Sequence, residues 1–183
     1  MRAVIIIAAF ALTGCNEQPL SETANQAEAE NGCPATASGV WESLRLEASA
    51  FGADCDEAQA TITIRNNAGE ALWSQIHPAG QNFTLAGAES VEDMQRRLNE
   101  WINPPGAARD STGDLPEWPA NADSPADGEF PFYVEEGVDR RTYEALRQRD
   151  APMFCYTQGM ESLACLALEE GRLTKIGVQS FPG

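Results

Sequence analysis

The chain has 183 residues, of which 28 are acidic and 12 are basic, so its formal net charge at neutral pH is −16. This length supports one domain with a substantial hydrophobic core, and is too short to argue for two. Such an excess of acid disfavours nucleic acid as a partner and electrostatic docking on anionic lipid, because like charges repel. It leaves two interpretations, a basic protein partner or simple solubility.

The first fifteen residues have the layout of an export signal. Arg2 precedes an uninterrupted apolar run, residues 4–12, which is too short to span a bilayer as a helix. The run ends in Leu12-Thr13-Gly14-Cys15, which resembles the lipobox of bacterial lipoproteins. The resemblance implies that residues 1–14 are a signal peptide and that Cys15 becomes lipidated after their removal. The alternatives are an ordinary signal peptide and a buried N-terminal helix.

Lipidation of Cys15 makes membrane lipid the first partner of the chain and places it in the cell envelope. Two or three acyl chains attach a protein firmly, since each buried methylene contributes about 0.8 kcal/mol. In the enterobacterial pattern, aspartate after the cysteine resembles an inner-membrane retention signal, so Asn16 favours the outer membrane, facing the periplasm. Residues 16–32 are polar and acidic, which is typical of a flexible tether with a reach of roughly 20–25 Å. We therefore expect a lipidated tether at 15–38 and a folded domain at 39–183.

Four cysteines remain once Cys15 is assigned to lipid, and an even number in an exported chain indicates disulfides. The sequence on either side of Gly159 predicts a hairpin in which Cys155 faces Cys165 within disulfide range. Cys33 with Cys55 then follows by elimination. The alternative is four thiolates on a metal ion, but no Cys-x-x-Cys spacing is present.

Alternation of apolar and polar residues with a period of two predicts strands. In the first of these, Leu44, Leu46 and Ala48 share one face. Asn66-Asn67-Ala68-Gly69 is a turn signal between the second strand and the third. The predicted strands are 41–48, 60–65, 71–76, 82–85, 153–158, 162–169 and 173–180.

Two helices are predicted from capping and helical periodicity. Ser90 and Asp93 form a capping-box pattern before a helix with one apolar face. A shorter helix is expected at 139–149, with Tyr143 and Leu146 directed inward. The expected fold class is α+β: a single antiparallel sheet of about six or seven strands, one or two packed helices and two disulfides.

A proline-rich segment at 104–133 holds six of the eleven prolines and is expected to be a long loop. Loops of this length are usually functional or disordered, and aromatic side chains dominate binding surfaces. Trp118 and Tyr133 are therefore candidate binding residues, unless the aromatic residues only fasten the loop over the core. Arg140 and Arg141 are candidates for binding an anion, unless they pair with neighbouring carboxylates.

No catalytic, metal or cofactor site is predicted. His77 is the only histidine, and it requires a nucleophile and an orienting carboxylate nearby to act as a general base. Ser74 and Ser90 are close in sequence only, and no Gly-x-Ser-x-Gly motif is present. The acidic stretches 110–114 and 123–129 offer oxygen ligands for calcium without the spacing of an EF-hand loop.

The sequence favours a lipid-anchored envelope protein with a non-catalytic binding or assembly role. One alternative is an inhibitor of a basic exported enzyme such as lysozyme, because lysozyme-inhibitor lipoproteins are similar in being small, acidic, disulfide-bonded β domains. The other alternative is a periplasmic hydrolase that uses His77.

Overall fold

The computed structural model describes residues 32–103, 111–125 and 130–181. The expected signal peptide, Cys15 and most of the expected tether lie outside the described residues. Within them, eight strands form two four-stranded antiparallel sheets, accompanied by two α-helices. None of the helices in the described ranges is long and apolar enough to cross a membrane.

Sheet 1 is a meander of four consecutive strands. Its second strand shows the predicted alternation, with Leu44, Leu46 and Ala48 buried and Arg45 and Ser49 exposed. Period-two alternation places successive side chains on opposite faces, so one face of the sheet is apolar and buried, while the other is mostly polar and also carries the exposed Val40, Phe51 and Ile76. The strands are β1 (Ala35–Trp41), β2 (Leu44–Phe51), β3 (Gln59–Arg65) and β4 (Ala71–Pro78), paired in that order.

The fold begins earlier than expected, because β1 starts at Ala35, within the range assigned to the tether. Its residues are mostly small, so they carry little strand signal of their own. The chain is held in place by the Cys33–Cys55 disulfide and by the Cys33 N–H, which donates to the Gly52 carbonyl at 2.9 Å. The partner strand and the disulfide therefore specify β1.

The strand predicted at 82–85 is wrong. The Leu85 N–H donates to the Asn82 carbonyl at 3.0 Å, and the Asn82 Oδ1 atom accepts from the Thr84 N–H at 3.0 Å. These local bonds close a turn in place of a strand. Helix α1 (Val91–Ile102) follows, and its first turn is capped as predicted by the Ser90 side chain, which accepts from the Asp93 N–H.

Sheet 2 has the spatial order β5-β8-β7-β6. Its strands are β5 (Phe132–Val134), β6 (Met153–Thr157), β7 (Ser162–Glu169) and β8 (Arg172–Ser180), and helix α2 (Arg140–Arg149) lies between β5 and β6 in sequence. The predicted hairpin register is confirmed, since Cys155 pairs with Cys165 across β6 and β7. Both predicted disulfides are present. β5 was not expected, because it falls within the proline-rich segment.

The prediction of a single sheet is wrong. The turn at Asn82 ends the meander after β4, and the second sheet acquires its edge strand by pairing β5 with β8, far apart in sequence. Alternation identifies buried faces, but it does not state which strands share a sheet. The two sheets enclose one hydrophobic core between them, and the opposite face of sheet 2 contacts a second core.

Core 1 lies between sheet 1, α1 and one face of sheet 2; it includes Leu46, Ile62, Ile64, Met94, Leu98, Trp101, Phe154, Tyr156 and Leu166. Core 2 lies on the opposite face of sheet 2, under α2; it includes Leu115, Phe132, Tyr143, Leu146, Cys155 and Cys165. Burying each large apolar side chain contributes about 1.5–3 kcal/mol, so both cores are substantial.

Candidate binding surface on sheet 1

The face of sheet 1 that points away from core 1 carries a band of hydroxyl groups. The strand register places Thr36, Ser49 and Thr61 in one row across β1, β2 and β3, and Ser38 and Thr63 in the next row. These positions are the polar half of an alternation whose apolar half fills core 1. We call the set Thr36, Ser38, Ser49, Thr61, Thr63 and Ser74 the hydroxyl face.

An ion-pair group lies within this face. The Glu47 carboxylate receives the Arg65 Nε–H at 2.8 Å on one oxygen, and its other oxygen lies 3.5 Å from the Arg45 Nε atom. Arg65 also donates to the Gly69 carbonyl at 3.2 Å, which fixes its guanidinium group. The Arg45 side chain is 55% exposed. Two guanidinium groups therefore share one carboxylate, and the face is locally positive in an acidic chain.

A concavity of about 620 Å³ opens over the hydroxyl face and extends past the edge of β1. Two amides from α1, those of Gln95 and Asn99, complete its wall. It is lined by Thr36, Ala37, Ser38, Glu47, Ala48, Ser49, Thr61, Thr63, Arg65, Gln95 and Asn99. All lining side chains except the two alanines are polar, and hydroxyls and amides both donate and accept hydrogen bonds. The surface thus suits a ligand with many hydroxyl groups rather than an apolar one.

A second depression, of about 290 Å³, adjoins the ion-pair group on its other side. Arg45 contributes to its wall together with Ser43, Asn66 and Asn67. The predicted turn places the amides of Asn66 and Asn67 in this wall. Within the turn, the Asn66 Oδ1 atom accepts from the Ala68 N–H at 3.0 Å. Val40 and Leu44 complete the wall, so this depression has a mixed polar and apolar lining.

His77 does not lie on this face. Its Nδ1 atom is 3.1 Å from the Gln158 main-chain oxygen, and its ring packs edge-on against Trp101 and Tyr156 at centroid distances of 5.6 and 5.8 Å. Its Nε2 atom is buried and has no hydrogen-bond partner among the described residues. Burial lowers the pKa of the imidazole.

The two serines considered with His77 have other roles. The Ser74 Oγ atom lies 3.1 Å from the Thr63 Oγ1 atom on the hydroxyl face. The Ser90 Oγ atom accepts from the Asp93 N–H at 3.2 Å and caps α1. The structure therefore places the imidazole in an aromatic packing contact between the sheets, and does not bring these hydroxyls to it.

The candidate residues of the proline-rich segment are only partly brought together. The Trp118 ring packs edge-on against Tyr143 at 5.5 Å, and its Nε1–H donates to the Ala122 carbonyl at 2.9 Å. The Arg140 guanidinium donates to the Ala120 carbonyl at 3.0 Å. These contacts fasten the segment to α2.

Tyr133 and Arg141 do not join that group. Tyr133 lies on β5 with its side chain 60% exposed, while the preceding Phe132 is buried in core 2. Arg141 is exposed on the first turn of α2. The four candidate residues therefore do not form one pocket within the described part of the chain.

The acidic stretches do not form a metal site within the described ranges, where no three potential ligands converge. Asp110, Asp127 and Glu129 lie outside those ranges, while Asp114 and Asp123 lie within them. The alternative of four thiolates on a metal ion is wrong, because all four cysteines are in disulfides.

Sequence reasoning missed the hydroxyl face, although part of its signal was visible. The alternating Thr61 and Thr63 are the polar positions of a predicted strand. Thr36 and Ser38 lie on β1, which the sequence pattern does not predict, so alternation alone does not align β1 with β2.

No protein-family model matches the chain, and neither a characterised protein nor a solved structure shows significant similarity to it.

Proposed function

We propose that this is a non-catalytic, lipid-anchored envelope protein that binds a hydroxyl-rich ligand, with the chemistry of a glycan, on the hydroxyl face. The observation that supports this most directly is the concavity over that face, which is lined mainly by hydroxyl, amide and charged groups. Sugars present hydroxyls that both donate and accept, and such a lining pairs with them in either direction.

The shape of the surface favours a polymer over a small molecule. Small ligands usually bind in apolar pockets that bury most of their surface, whereas this concavity is lined mainly by polar side chains from three strands and a helix. An extended chain makes many weak contacts along such a surface, each worth about 0.5–1.5 kcal/mol per hydrogen bond. The exposed guanidinium of Arg45 adds a site for a carboxylate substituent on the chain.

The anchoring part of the proposal concerns Cys15 and the lipobox-like motif before it. Mass spectrometry of the protein purified from a Gram-negative host tests it directly. We expect the N-terminal peptide to begin at Cys15 with diacylglyceryl and acyl groups attached, and Cys15→Ser to abolish this modification. An unmodified thiol on Cys15 would contradict the anchor and leave the binding surface as a separate question.

The binding part is tested by sedimenting the Cys15→Ser chain with purified peptidoglycan and by screening it on a panel of soluble glycans. The test variant combines Thr36→Val, Ser49→Ala and Thr61→Val, which removes one complete row of hydroxyls with little change of shape. Losing three hydrogen bonds of about 0.5–1.5 kcal/mol each weakens binding about tenfold or more.

The matched control is Thr174→Val, which removes an exposed hydroxyl from β8 in the other sheet. It should bind like the parent, and circular dichroism should show all variants folded. Arg45→Gln should weaken binding of carboxylated glycans and leave neutral ones unaffected. Equal binding by the parent and the triple variant, or no glycan bound by the parent, would overturn the proposal.

A further inference from the structure

The chain enters the fold at one end of sheet 1. The register aligns Ala35, Ala50, Ala60 and His77, so the start of β1, the end of β2, the start of β3 and the end of β4 share this end. Cys33 precedes β1 here and is bonded to Cys55. We call this the Cys33 end.

The end of sheet 2 that carries the β6–β7 hairpin lies next to the Cys33 end of sheet 1. Four hydrogen bonds join the two, each to the β6–β7 hairpin. They are His77 Nδ1 to the Gln158 carbonyl at 3.1 Å, Asn82 Nδ2 to the Thr157 carbonyl at 2.7 Å, Thr84 Oγ1 to Thr157 Oγ1 at 2.9 Å, and the Phe83 N–H to the Gly159 carbonyl at 3.2 Å. The Cys33 end is therefore a composite surface of both sheets. The paired strand ends of sheet 2 here are Phe132, Thr157, Leu163 and Gln179.

Exposed apolar side chains gather at this end. Seven large apolar side chains are exposed among the described residues. Three of them, Phe83 at 51%, Met160 at 47% and Phe130 at 42%, lie on the sheet 2 side of this end, whereas Phe51 at 70% lies at the end of β2 on the hydroxyl face. Phe83 also packs edge-on against Phe181 at 5.6 Å. Single exposed apolar residues are ordinary, but a group of them on one surface marks an interaction site.

We propose that the Cys33 end rests on the bilayer surface, with the side chains of Phe83, Phe130 and Met160 in the interfacial region. The inference depends on the proposed attachment at Cys15. Seventeen residues lie between Cys15 and Cys33. A random-coil chain of that length has a root-mean-square reach of roughly 20–25 Å, so a lipid attachment at Cys15 would hold this end close to the membrane. Aromatic and apolar side chains at the membrane interface then bury apolar surface in the lipid, and no second lipid anchor is required.

The surrounding charges specify the kind of membrane. Asp54, Asp56, Glu57 and Glu161 are exposed on the loops at this end. Carboxylates are repelled by anionic headgroups, and salt screens that repulsion. The contact is therefore apolar in origin, is strongest on zwitterionic lipid, and is weakened by anionic lipid at low salt.

The orientation of the docked domain determines where the hydroxyl face points. The strands of sheet 1 run from the Cys33 end towards the turn after Trp41, so they stand away from the bilayer when this end is docked. The hydroxyl face then points sideways into the surrounding space and stays accessible to an extended ligand.

The test attaches the mature chain to vesicles by coupling the Cys15 thiol to a maleimide lipid, since the other four cysteines are in disulfides. The vesicles contain phosphatidylcholine with brominated acyl chains, which quench tryptophan at the membrane. Phe83→Trp places a probe at the Cys33 end, and Val40→Trp places a matched probe at the opposite end of β1, where Val40 is 72% exposed. We expect loss of the added emission in Phe83→Trp and none in Val40→Trp, each measured against the parent.

Equal quenching of the two probes, or greater quenching of Val40→Trp, would overturn the proposal. If Phe83→Trp does not fold, Met160→Trp replaces it as the probe. Replacing part of the phosphatidylcholine with phosphatidylglycerol should reduce quenching, and added salt should restore it; an increase with anionic lipid would also count against the proposal. Because coupling is chemical, the result is independent of whether cells lipidate Cys15, which mass spectrometry decides.

Discussion

The His77 Nδ1–H donates to the Gln158 main-chain oxygen at 3.1 Å, and this bond ties the end of β4 to the β6–β7 hairpin. The bond assigns the proton of the neutral ring to Nδ1. The Nε2 atom is then a buried acceptor with no hydrogen-bond partner among the described residues, on a ring that packs against Trp101 and Tyr156. Adding a proton there introduces a charge into a packed contact.

Stability should therefore fall in mildly acidic solution. Burial lowers the pKa of His77 from 6.5, so below about pH 6.5 the unfolded chain binds a proton that the folded chain refuses. Denaturant titrations between pH 8 and pH 5 should show the free energy of unfolding decreasing as the pH falls through this window. His77 is the only histidine, so His77→Phe should remove this dependence. An unchanged slope in the variant would refute the assignment.

Asn82 should be more important to stability than its place in a turn suggests. Its side chain is fully buried; Nδ2 donates to the Thr157 carbonyl at 2.7 Å, and Oδ1 accepts from the Thr84 N–H. Asn82→Ala should reduce the free energy of unfolding by about 1–3 kcal/mol, because these bonds are lost in a buried site. Asn82→Asp keeps the shape but turns an oxygen towards the Thr157 carbonyl, so urea titration should find it less stable than the alanine variant. The reverse order would contradict the assigned amide orientation.

The Cys33–Cys55 disulfide should stabilise β1 in particular. It closes a loop with a sequence separation of 22 residues, and the chain-entropy model assigns such a loop about 3 kcal/mol. Replacing both cysteines with alanine should lower the melting temperature. Hydrogen exchange should show β1 amides opening before those of β2 and β3. If β1 amides remained as protected as in the parent, strand pairing alone would be sufficient to hold β1.

Arg147 should fasten the described part of the proline-rich segment. Its Nε–H donates to the Leu115 carbonyl at 2.9 Å, and its Nη1 atom lies 3.0 Å from the Glu144 Oε2 atom. Arg147→Met keeps the aliphatic stem but removes both contacts, so limited proteolysis should cleave within 111–125 faster than in the parent. Arg141→Met, at an exposed position of the same helix, is the control. Faster cleavage of the control, or glycan binding lost only in Arg147→Met, would require a different role for this segment.

Local features of the fold could be predicted where short-range physics determines them. The Ser90 cap, the inward Tyr143 and Leu146, and the facing Cys155 and Cys165 each depend on residues a few positions apart. Each is confirmed. The register of a hairpin is of the same kind, because its loop length sets the alignment.

Long-range features could not be predicted in the same way. β1 and β5 have weak local signals and exist because β2 and β8 offer them an edge. The division into two sheets depends on where the chain turns at Asn82, which a buried side-chain hydrogen bond decides. The hydroxyl face forms only when β1 is aligned with β2. Because β1 has a weak local signal, the sequence does not predict this face. The role of Trp118 depends on its packing against Tyr143, a contact between residues 25 positions apart that the sequence pattern does not specify.

The β6–β7 hairpin is a wall with a different core on each side. Phe154, Tyr156 and Leu166 belong to core 1, while Cys155 and Cys165 belong to core 2. A one-residue slip between these strands would send each set to the wrong side, so the alignment error would disrupt both cores together. In a slipped hairpin the two sulfur atoms no longer face each other. Formation of the Cys155–Cys165 disulfide during oxidative folding therefore selects the correctly aligned hairpin. Once formed, the disulfide prevents the misaligned hairpin from forming again.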